Sequence, residues 1–147
     1  MKGLEIKVIN TSDNSLPAYE TEGSSGMDLR ANISSAVTLN SMERILMPTG
    51  LFLEIPSGYE AQVRSRSGLA VNKGITCLNS PGTIDSDYRG EIKVLLINFS
   101  NESQIILPHD RIAQIVFVKV EHAVITLVHQ LNHTKRASGG FGHTGIQ

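Results

Sequence analysis

The sequence predicts an all-β domain, and three observations support this prediction. The chain has thirteen glycines and no tryptophan, and its short apolar runs are separated by turn residues. No stretch sustains the 3.6-residue periodicity of a helix. The predicted strands recur at roughly 8–12-residue intervals, which is typical of a sandwich, a jelly roll or a small barrel. The 147 residues correspond to one domain whose core needs no disulfide or metal.

Two apolar patterns predict two kinds of strand. Leucine, isoleucine or valine occupies every second position of residues 4–8 and 51–55, which indicates half-buried strands. Residues 94–97 and 115–118 are nearly continuous apolar runs, so we expect them at the centre of the fold, covered on both faces. Residues 67–72 favour one or two helical turns that begin with a serine cap.

Charge, cysteine content and hydropathy exclude several functional classes. Thirteen Lys and Arg balance fourteen Asp and Glu, so no charge pattern favours duplex nucleic acid or an anionic membrane. A single cysteine excludes a disulfide framework and a cysteine-based zinc cluster. The N-terminal residues carry charge where a signal peptide is apolar, and no run approaches the ~20 apolar residues of a membrane span. We therefore expect a cytoplasmic protein.

The histidines and the cysteine do not form a recognisable catalytic pattern. His129 and His133 have helical spacing, but the preceding residues 123–128 are strand-like, so surface histidines are favoured over a metal site. Cys77 lies in the apolar segment 75–78, where a small buried residue is the usual interpretation.

Two segments carry residue types that bind phosphate. Residues 64–68 combine guanidinium groups, hydroxyls and a glycine N–H, although Arg/Ser segments also occur in ordinary exposed loops. Residues 136–147 contain four glycines, whose N–H groups can wrap an anion. Phe141 can stack on a base. A frayed terminus is the alternative for this segment, but the two segments together indicate a nucleotide site.

Residues 79–91 predict a β-hairpin with an acidic tip. One carboxylate on a rigid hairpin can accept a proton from a water that attacks phosphorus, while the hairpin backbone reads a base edge. Asp and Gly also occur in turns for purely conformational reasons. The pattern by itself leaves the choice between Asp85 and Asp87 open.

Five segments resemble, in order, the five motifs of the trimeric dUTPase family. They are residues 26–31, 66–70, 82–90, 110–114 and 136–145. The resemblance implies a single-domain, jelly-roll-like β-barrel over residues 1–135 and a flexible Gly-rich C-terminal arm over residues 136–147 that closes over an active site. It also implies a homotrimer in which three subunits build each active site.

The same resemblance implies the reaction and its participants. The protein would hydrolyse dUTP to dUMP and pyrophosphate with Mg2+ on the triphosphate, which limits uracil incorporation into DNA and supplies dUMP for thymidylate synthesis. Asp85 takes the role of the carboxylate that activates water, Tyr88 packs under the deoxyribose, and Asp28 contacts the metal through water. The other implied substrate-binding residues are Arg66, Ser67, Gly68 and Gln114 at the phosphates, Asn79, Thr83, Ile84 and Lys93 at uracil, and Arg136, Phe141, Gly142, His143 and Thr144 in the arm.

Two rival functions are less well supported by the sequence. A dCTP deaminase of resembling fold carries a catalytic glutamate at the position of Leu95, and an aliphatic side chain cannot shuttle protons. A non-catalytic nucleotide-binding trimer would be indicated by loss of Asp85 or of the arm, and both are present.

Three positions depart from the family pattern. Ser65 stands where proline is frequent and His109 where glycine is frequent. Both departures concern loop conformation, because serine lacks the fixed φ of proline and histidine tolerates positive φ poorly. His143 stands where serine is frequent, which would place a titratable donor beside phosphate.

Overall fold

The computed structural model describes residues 3–140, and within them the chain forms ten strands and one helix. In chain order these are β1 (Lys7–Asn10), β2 (Met27–Arg30), β3 (Val37–Leu39), β4 (Arg44–Glu54), β5 (Tyr59–Arg64), α1 (Ser67–Lys73), β6 (Ile75–Cys77), β7 (Gly82–Ile84), β8 (Glu91–Asn98), β9 (Gln104–Ile106) and β10 (Arg111–Lys119). The all-β prediction is confirmed.

The strands form two four-stranded antiparallel sheets and one small ribbon. Sheet A has the order β1-β4-β8-β6, sheet B has the order β2-β10-β5-β7, and β3 pairs with β9. Buried apolar side chains from both large sheets form one core cluster, so the sheets pack face to face. The architecture is jelly-roll-like, and the sheets are not closed into a continuous barrel.

The two apolar runs occupy internal strands, as predicted. Residues 94–97 lie on β8, between β4 and β6, and residues 115–118 lie on β10, between β2 and β5. The first alternating segment begins later than expected, because β1 pairs with β4 only from Lys7, opposite Glu54. Leu4 is exposed ahead of the strand.

The hairpin predicted for residues 79–91 is wrong. β7 pairs with β5 in sheet B, with Ile84 opposite Ala61, whereas β8 lies in sheet A. The chain therefore crosses from β6 in sheet A to β7 in sheet B, with a cis Ser80–Pro81 bond between them, and returns to sheet A at β8. A three-residue strand carries no pattern that identifies its partner, which is why turn residues flanked by apolar runs resembled a hairpin.

Residues 123–128, which resemble a strand in sequence, pair with no strand of the described chain. Val124, Ile125 and Leu127 are each at least 90% exposed. β propensity reflects packing on a neighbouring strand and burial, and this chain supplies neither to the segment.

Helix α1 confirms the predicted helical turns, with a different cap. Arg66 rather than Ser67 occupies the N-cap position, with no side-chain capping hydrogen bond. Gly74 ends the helix at φ 64°, and a Cβ there would lie 2.9 Å from the Ser100 backbone nitrogen. Within residues 3–140 no helix has the length and apolar character needed to cross a bilayer.

Candidate functional site

A cavity of about 220 Å3 forms where β7 leads toward β8. Five of the predicted site residues share its lining with Leu46 and Glu91. They are Thr83, Ile84, Asp85, Tyr88 and Lys93. The structure thus brings together residues of β7, of β8 and of the loop between them.

Short-range hydrogen bonds fix the loop that carries Asp85. The backbone N–H of Tyr88 donates to the carbonyl oxygen of Asp85 at 3.2 Å. Arg89 Nη1 donates to the carbonyl oxygens of Ser86 at 2.7 Å and Tyr88 at 3.0 Å. The Asp85 residue is exposed, so a rigid turn presents a carboxylate that water can reach.

Glu91 supports the wall of this cavity and is not among the predicted site residues. Its Oε1 accepts a hydrogen bond from the Gly50 N–H at 2.9 Å, and its Oε2 lies 3.6 Å from Lys93 Nζ. The Glu91 side chain therefore joins β4 to Lys93. A glutamate at the start of an apolar strand was the available signal, but its partner Gly50 lies forty-one positions away.

Asn79 stands beside the same segment. It is exposed, and a Cβ built on Gly82 would lie only 3.2 Å from its Nδ2 atom. The Asn79 amide therefore rests against the start of β7.

A second group of predicted residues lies at the end of sheet B. Arg66 Nε donates to Asp28 Oδ1 at 2.8 Å, and Arg111 Nη1 donates to Asp28 Oδ2 at 3.2 Å. The Asp28 side chain is only 9% exposed. One carboxylate thus holds two guanidinium groups together.

Gln114 lies in the same region because of strand register. On β10 it is opposite Asp28 on one side and Arg64 on the other. A Cβ at Gly26 would lie 3.4 Å from Gln114 Cβ, so the small first residue of the segment 26–31 leaves space for this glutamine. Ser67 and Gly68 are exposed at the start of α1.

The departure at Ser65 is accommodated by hydrogen bonds. Its hydroxyl lies 2.5 Å from Thr76 Oγ1 and accepts the Cys77 N–H at 2.9 Å. These bonds tie the loop before α1 to β6. Cys77 is buried, and this burial raises the pKa of its thiol, opposed by the hydrogen bond from Ser65. The interpretation of Cys77 as a buried structural residue is confirmed.

The departure at His109 places a histidine at φ 68°. Its Nδ1 lies 2.7 Å from Asn14 Oδ1, and its carbonyl oxygen accepts a hydrogen bond from Arg30 Nη1 at 3.0 Å. The side-chain and backbone contacts hold a conformation that glycine would adopt without strain.

Arg66 and Asp85 line different cavities. Arg66 lines a cavity of about 240 Å3 with Lys73, Asp110 and Arg111, and none of its lining residues lines the cavity around Asp85. In the arm, Arg136 is exposed and its Nε donates to the Gly139 carbonyl oxygen at 2.9 Å. The predictions for Phe141, Gly142, His143 and Thr144 lie outside the described residues.

Residues 3–140 contain no group of three or more His, Cys, Asp or Glu side chains arranged to hold a metal. Asp28 is the predicted metal contact, and three donor contacts from Arg66 and Arg111 reach its two oxygens. A carboxylate has about four lone-pair sites. One position is therefore compatible with a hydrogen bond from a metal-bound water.

Comparisons with known proteins agree on one family. A family model described as dUTPase matches residues 12–145. The chain is 57% identical over 145 residues to the deoxyuridine 5'-triphosphate nucleotidohydrolase of Fusobacterium nucleatum, with 99% of each chain covered.

Solved structures show the same fold at lower identity. A mutant dUTPase of Staphylococcus bacteriophage 80alpha with dUpNHpp superposes with a TM-score of 0.85 at 21% identity, covering 97% of this chain and 99% of that one. A mutant dUTPase of S. aureus phage phi11, solved with a structural Mg(II) ion, has a TM-score of 0.79 at 19% identity, covering 88% and 99%.

Proposed function

The chain belongs to the dUTPase family and hydrolyses dUTP to dUMP and pyrophosphate, and we propose that Asp85 is the general base of this reaction. The observation that supports Asp85 is its position on a hydrogen-bonded turn, in one cavity with Thr83, Ile84, Tyr88 and Lys93. The neighbouring Asp87 does not line that cavity. The reaction limits uracil incorporation into DNA and supplies dUMP for thymidylate synthesis, and its nucleotide substrate fits the expected cytoplasmic location.

In the proposed mechanism, Asp85 accepts a proton from a water molecule as the water oxygen attacks phosphorus. The bond between the α- and β-phosphates breaks, and pyrophosphate leaves with the bonding electron pair. A carboxylate on a rigid loop is suited to orient that water, because the loop need not reorganise during attack. The three hydrogen bonds within residues 85–89 supply this rigidity.

We assign the phosphate chain to the group around Arg66. The Asp28 carboxylate holds the Arg66 guanidinium in one orientation, which lowers the entropy lost when the guanidinium binds an anion. Ser67 and Gly68 contribute hydroxyl and N–H donors beside it, and Gln114 contributes an amide. Cations fixed in this way stabilise charge on the transferring phosphoryl group.

We assign Mg2+ to the triphosphate, with Asp28 as its protein contact through water. Mg2+ keeps several waters and binds substrate phosphates rather than an all-protein cage. When bound, it would neutralise charge on the triphosphate oxygens. The remaining acceptor position on Asp28 could accept a hydrogen bond from one of those waters.

Base and sugar selection follow from the cavity around Asp85. The backbone groups of Ile84 and Lys93, with the Asn79 side chain, would read the uracil edge and leave the amino group of cytosine facing another donor. A thymine methyl would have no space. The Tyr88 ring would pack against C2′ of the deoxyribose and exclude a ribose hydroxyl.

A homotrimer with shared active sites is the assembly that we propose. The cavities around Arg66 and Asp85 share no lining residue, so one subunit supplies two partial sites. Val124, Ile125, Leu127 and Leu131 are at least 80% exposed, and exposed apolar side chains of this number indicate a protein contact.

The same chain has a matching apolar surface. A cavity of about 430 Å3 is lined almost entirely by apolar residues, among them Leu16, Tyr19 and Phe117. A segment of a neighbouring subunit such as residues 124–131 would cover apolar surface of this kind. In the proposed trimer, residues 1–135 form the domain, and the arm of residues 136–147 closes over a neighbour's nucleotide, with Phe141 on uracil and Arg136, Gly142, His143 and Thr144 around the terminal phosphate.

Product analysis tests this function directly. Purified protein is incubated with Mg2+ and, separately, with dUTP, dCTP, dTTP or UTP, and monophosphate, pyrophosphate and ammonia are resolved. We expect dUMP and pyrophosphate from dUTP alone. Ammonia from dCTP would indicate a deaminase, and bound nucleotide without product would indicate a binding protein.

A further inference from the structure

Gly90 lies against the hydroxyl end of the Tyr88 side chain. A Cβ built on Gly90 would lie 2.5 Å from Tyr88 Cζ and 2.9 Å from Cε2, with the hydroxyl oxygen as its nearest neighbour. Contacts under about 3 Å between carbon atoms are strongly repulsive, because optimal separations are about 3.5–4.0 Å. Any side chain at position 90 is therefore incompatible with the observed position of the Tyr88 ring.

The ring, and not the backbone, is the part that would move. Tyr88 is 46% exposed, and its hydroxyl donates one hydrogen bond, to the Glu91 carbonyl oxygen at 3.1 Å. The backbone on either side is held more firmly, because Arg89 Nη1 bonds two carbonyls of the loop. The Glu91 side chain, in turn, is bonded to the Gly50 N–H on β4.

We propose that Gly90 is a specificity-determining positioning residue, whose missing side chain lets the Tyr88 ring lie where it excludes a ribose 2′-hydroxyl. The proposal rests on the proposed role of Tyr88 at the sugar. Tyr88 lines the cavity that also contains Asp85, so displacing its ring opens the sugar side of the cavity without touching the carboxylate. Gly90 thus acts on selectivity through Tyr88 rather than by contact with the nucleotide.

Two other glycines do not exclude a side chain in this way. A Cβ at Gly82, in the same segment, would meet nothing closer than 3.2 Å, the amide nitrogen of Asn79. A Cβ at Gly23 would meet nothing within 4 Å. Gly23→Ala is therefore a control for adding a methyl group to an exposed loop.

The test is a double-mutant cycle on substrate selectivity. We would measure kcat/KM for dUTP and UTP in the wild type, Gly90→Ala, Tyr88→Ala, the double variant and Gly23→Ala. We expect Gly90→Ala to raise the UTP:dUTP ratio of kcat/KM by about tenfold to a hundredfold, since rejection of an added hydroxyl by an apolar surface is of order a hundredfold. In the Tyr88→Ala background, Gly90→Ala should not change the ratio further, and Gly23→Ala should match the wild type.

A binding measurement separates selectivity from catalysis. Calorimetric affinities for dUMP and UMP should converge in Gly90→Ala, and thermal melts should show that the variant remains folded. Wild-type discrimination in Gly90→Ala would overturn the proposal, as would a further change of the ratio in the double variant. Equal losses on dUTP and UTP would show a structural role only and would also overturn it. Wild-type discrimination in Tyr88→Ala would instead refute the proposed role of Tyr88, and the inference about Gly90 with it.

Discussion

The Arg66 guanidinium and the Asp28 carboxylate form a two-point ion pair, with Nε 2.8 Å from Oδ1 and Nη2 3.4 Å from Oδ2. The pair joins residues thirty-eight positions apart, one on β2 and one just before α1. Because the side chains are 9% and 24% exposed, water screens this pair less than an exposed one. The Arg66 guanidinium, which we propose binds phosphate, is thus oriented before the nucleotide arrives.

Asp28→Asn should weaken nucleotide binding more than it slows the chemical step. Loss of the carboxylate leaves Arg66 and Arg111 without their shared anion, so we expect KM for dUTP to rise about tenfold or more and stability to fall by about 1–3 kcal/mol. Steady-state kinetics and urea unfolding measure both effects. Glu54→Gln is the matched control, since it breaks the exposed Lys7–Glu54 pair at 2.7 Å, and exposed pairs contribute little. An unchanged KM in Asp28→Asn would contradict the role given to this ion pair.

Asp85→Asn should abolish turnover and keep nucleotide affinity. The substitution preserves side-chain shape and removes the proton acceptor, so kcat should fall by about a hundredfold or more. Turnover is followed by pyrophosphate release, and affinity by calorimetry with dUpNHpp. Asp87→Asn is the matched control two residues away, outside the cavity, and should stay active. Inactive Asp87→Asn with active Asp85→Asn would reverse the assignment.

Cys77 should resist thiol reagents in the folded protein, because burial raises its pKa above the ordinary 9.0 and blocks access. The folded state then keeps the proton while the unfolded state releases it, so stability falls as pH rises through about 9 toward the folded pKa. Thiol titration with and without urea, and unfolding curves between pH 7 and 10, measure these effects. Cys77→Ala should lose the thiol-dependent part of the pH effect. Rapid labelling of native protein would be inconsistent with burial.

Removing residues 136–147 should leave a folded oligomer with severely weakened catalysis. No residue of this segment belongs to the apolar core among those described, whereas Arg136 and Phe141 are assigned to the nucleotide. Thermal melting, light scattering and dUTP hydrolysis test the three parts of the prediction. Full activity in the truncated protein would refute the proposed closure of the arm.

Polar substitutions at Ile125 and Leu127 should weaken the proposed trimer. Both side chains are at least 90% exposed in the single chain, so they contribute little to its own core, and burial of each against a neighbour is worth about 1.5–3 kcal/mol. Light scattering of Ile125→Ser/Leu127→Ser should show dissociation at concentrations where the wild type is trimeric. Thr126→Ser is the conservative control within the same segment. A trimer as stable as the wild type would contradict the proposed contact.

Local patterns were sufficient for the fold class and for most of the internal strands. Residues 94–97 and 115–118 mark internal strands, and this apolar signal lies within a few neighbouring positions. Only the first run is mostly buried, because residues 116–118 are half-buried in the single chain. Residues 67–72 indicated the short helix α1, although its cap is Arg66 rather than the predicted serine. The segment that carries Asp85 and Tyr88 could also be identified from the sequence, because its residues resemble the third family motif.

Tertiary structure alone decided which elements meet. Strand β7 pairs with β5 rather than with β8. Asp28 contacts Arg66, and Glu91 bonds to Gly50. Each of these contacts joins positions that are distant in the sequence, so no local periodicity could predict it. Position 90 requires glycine because the Tyr88 side chain lies against the backbone there. Side-chain periodicity is a local property of the chain, whereas strand pairing and close packing depend on the whole folded arrangement.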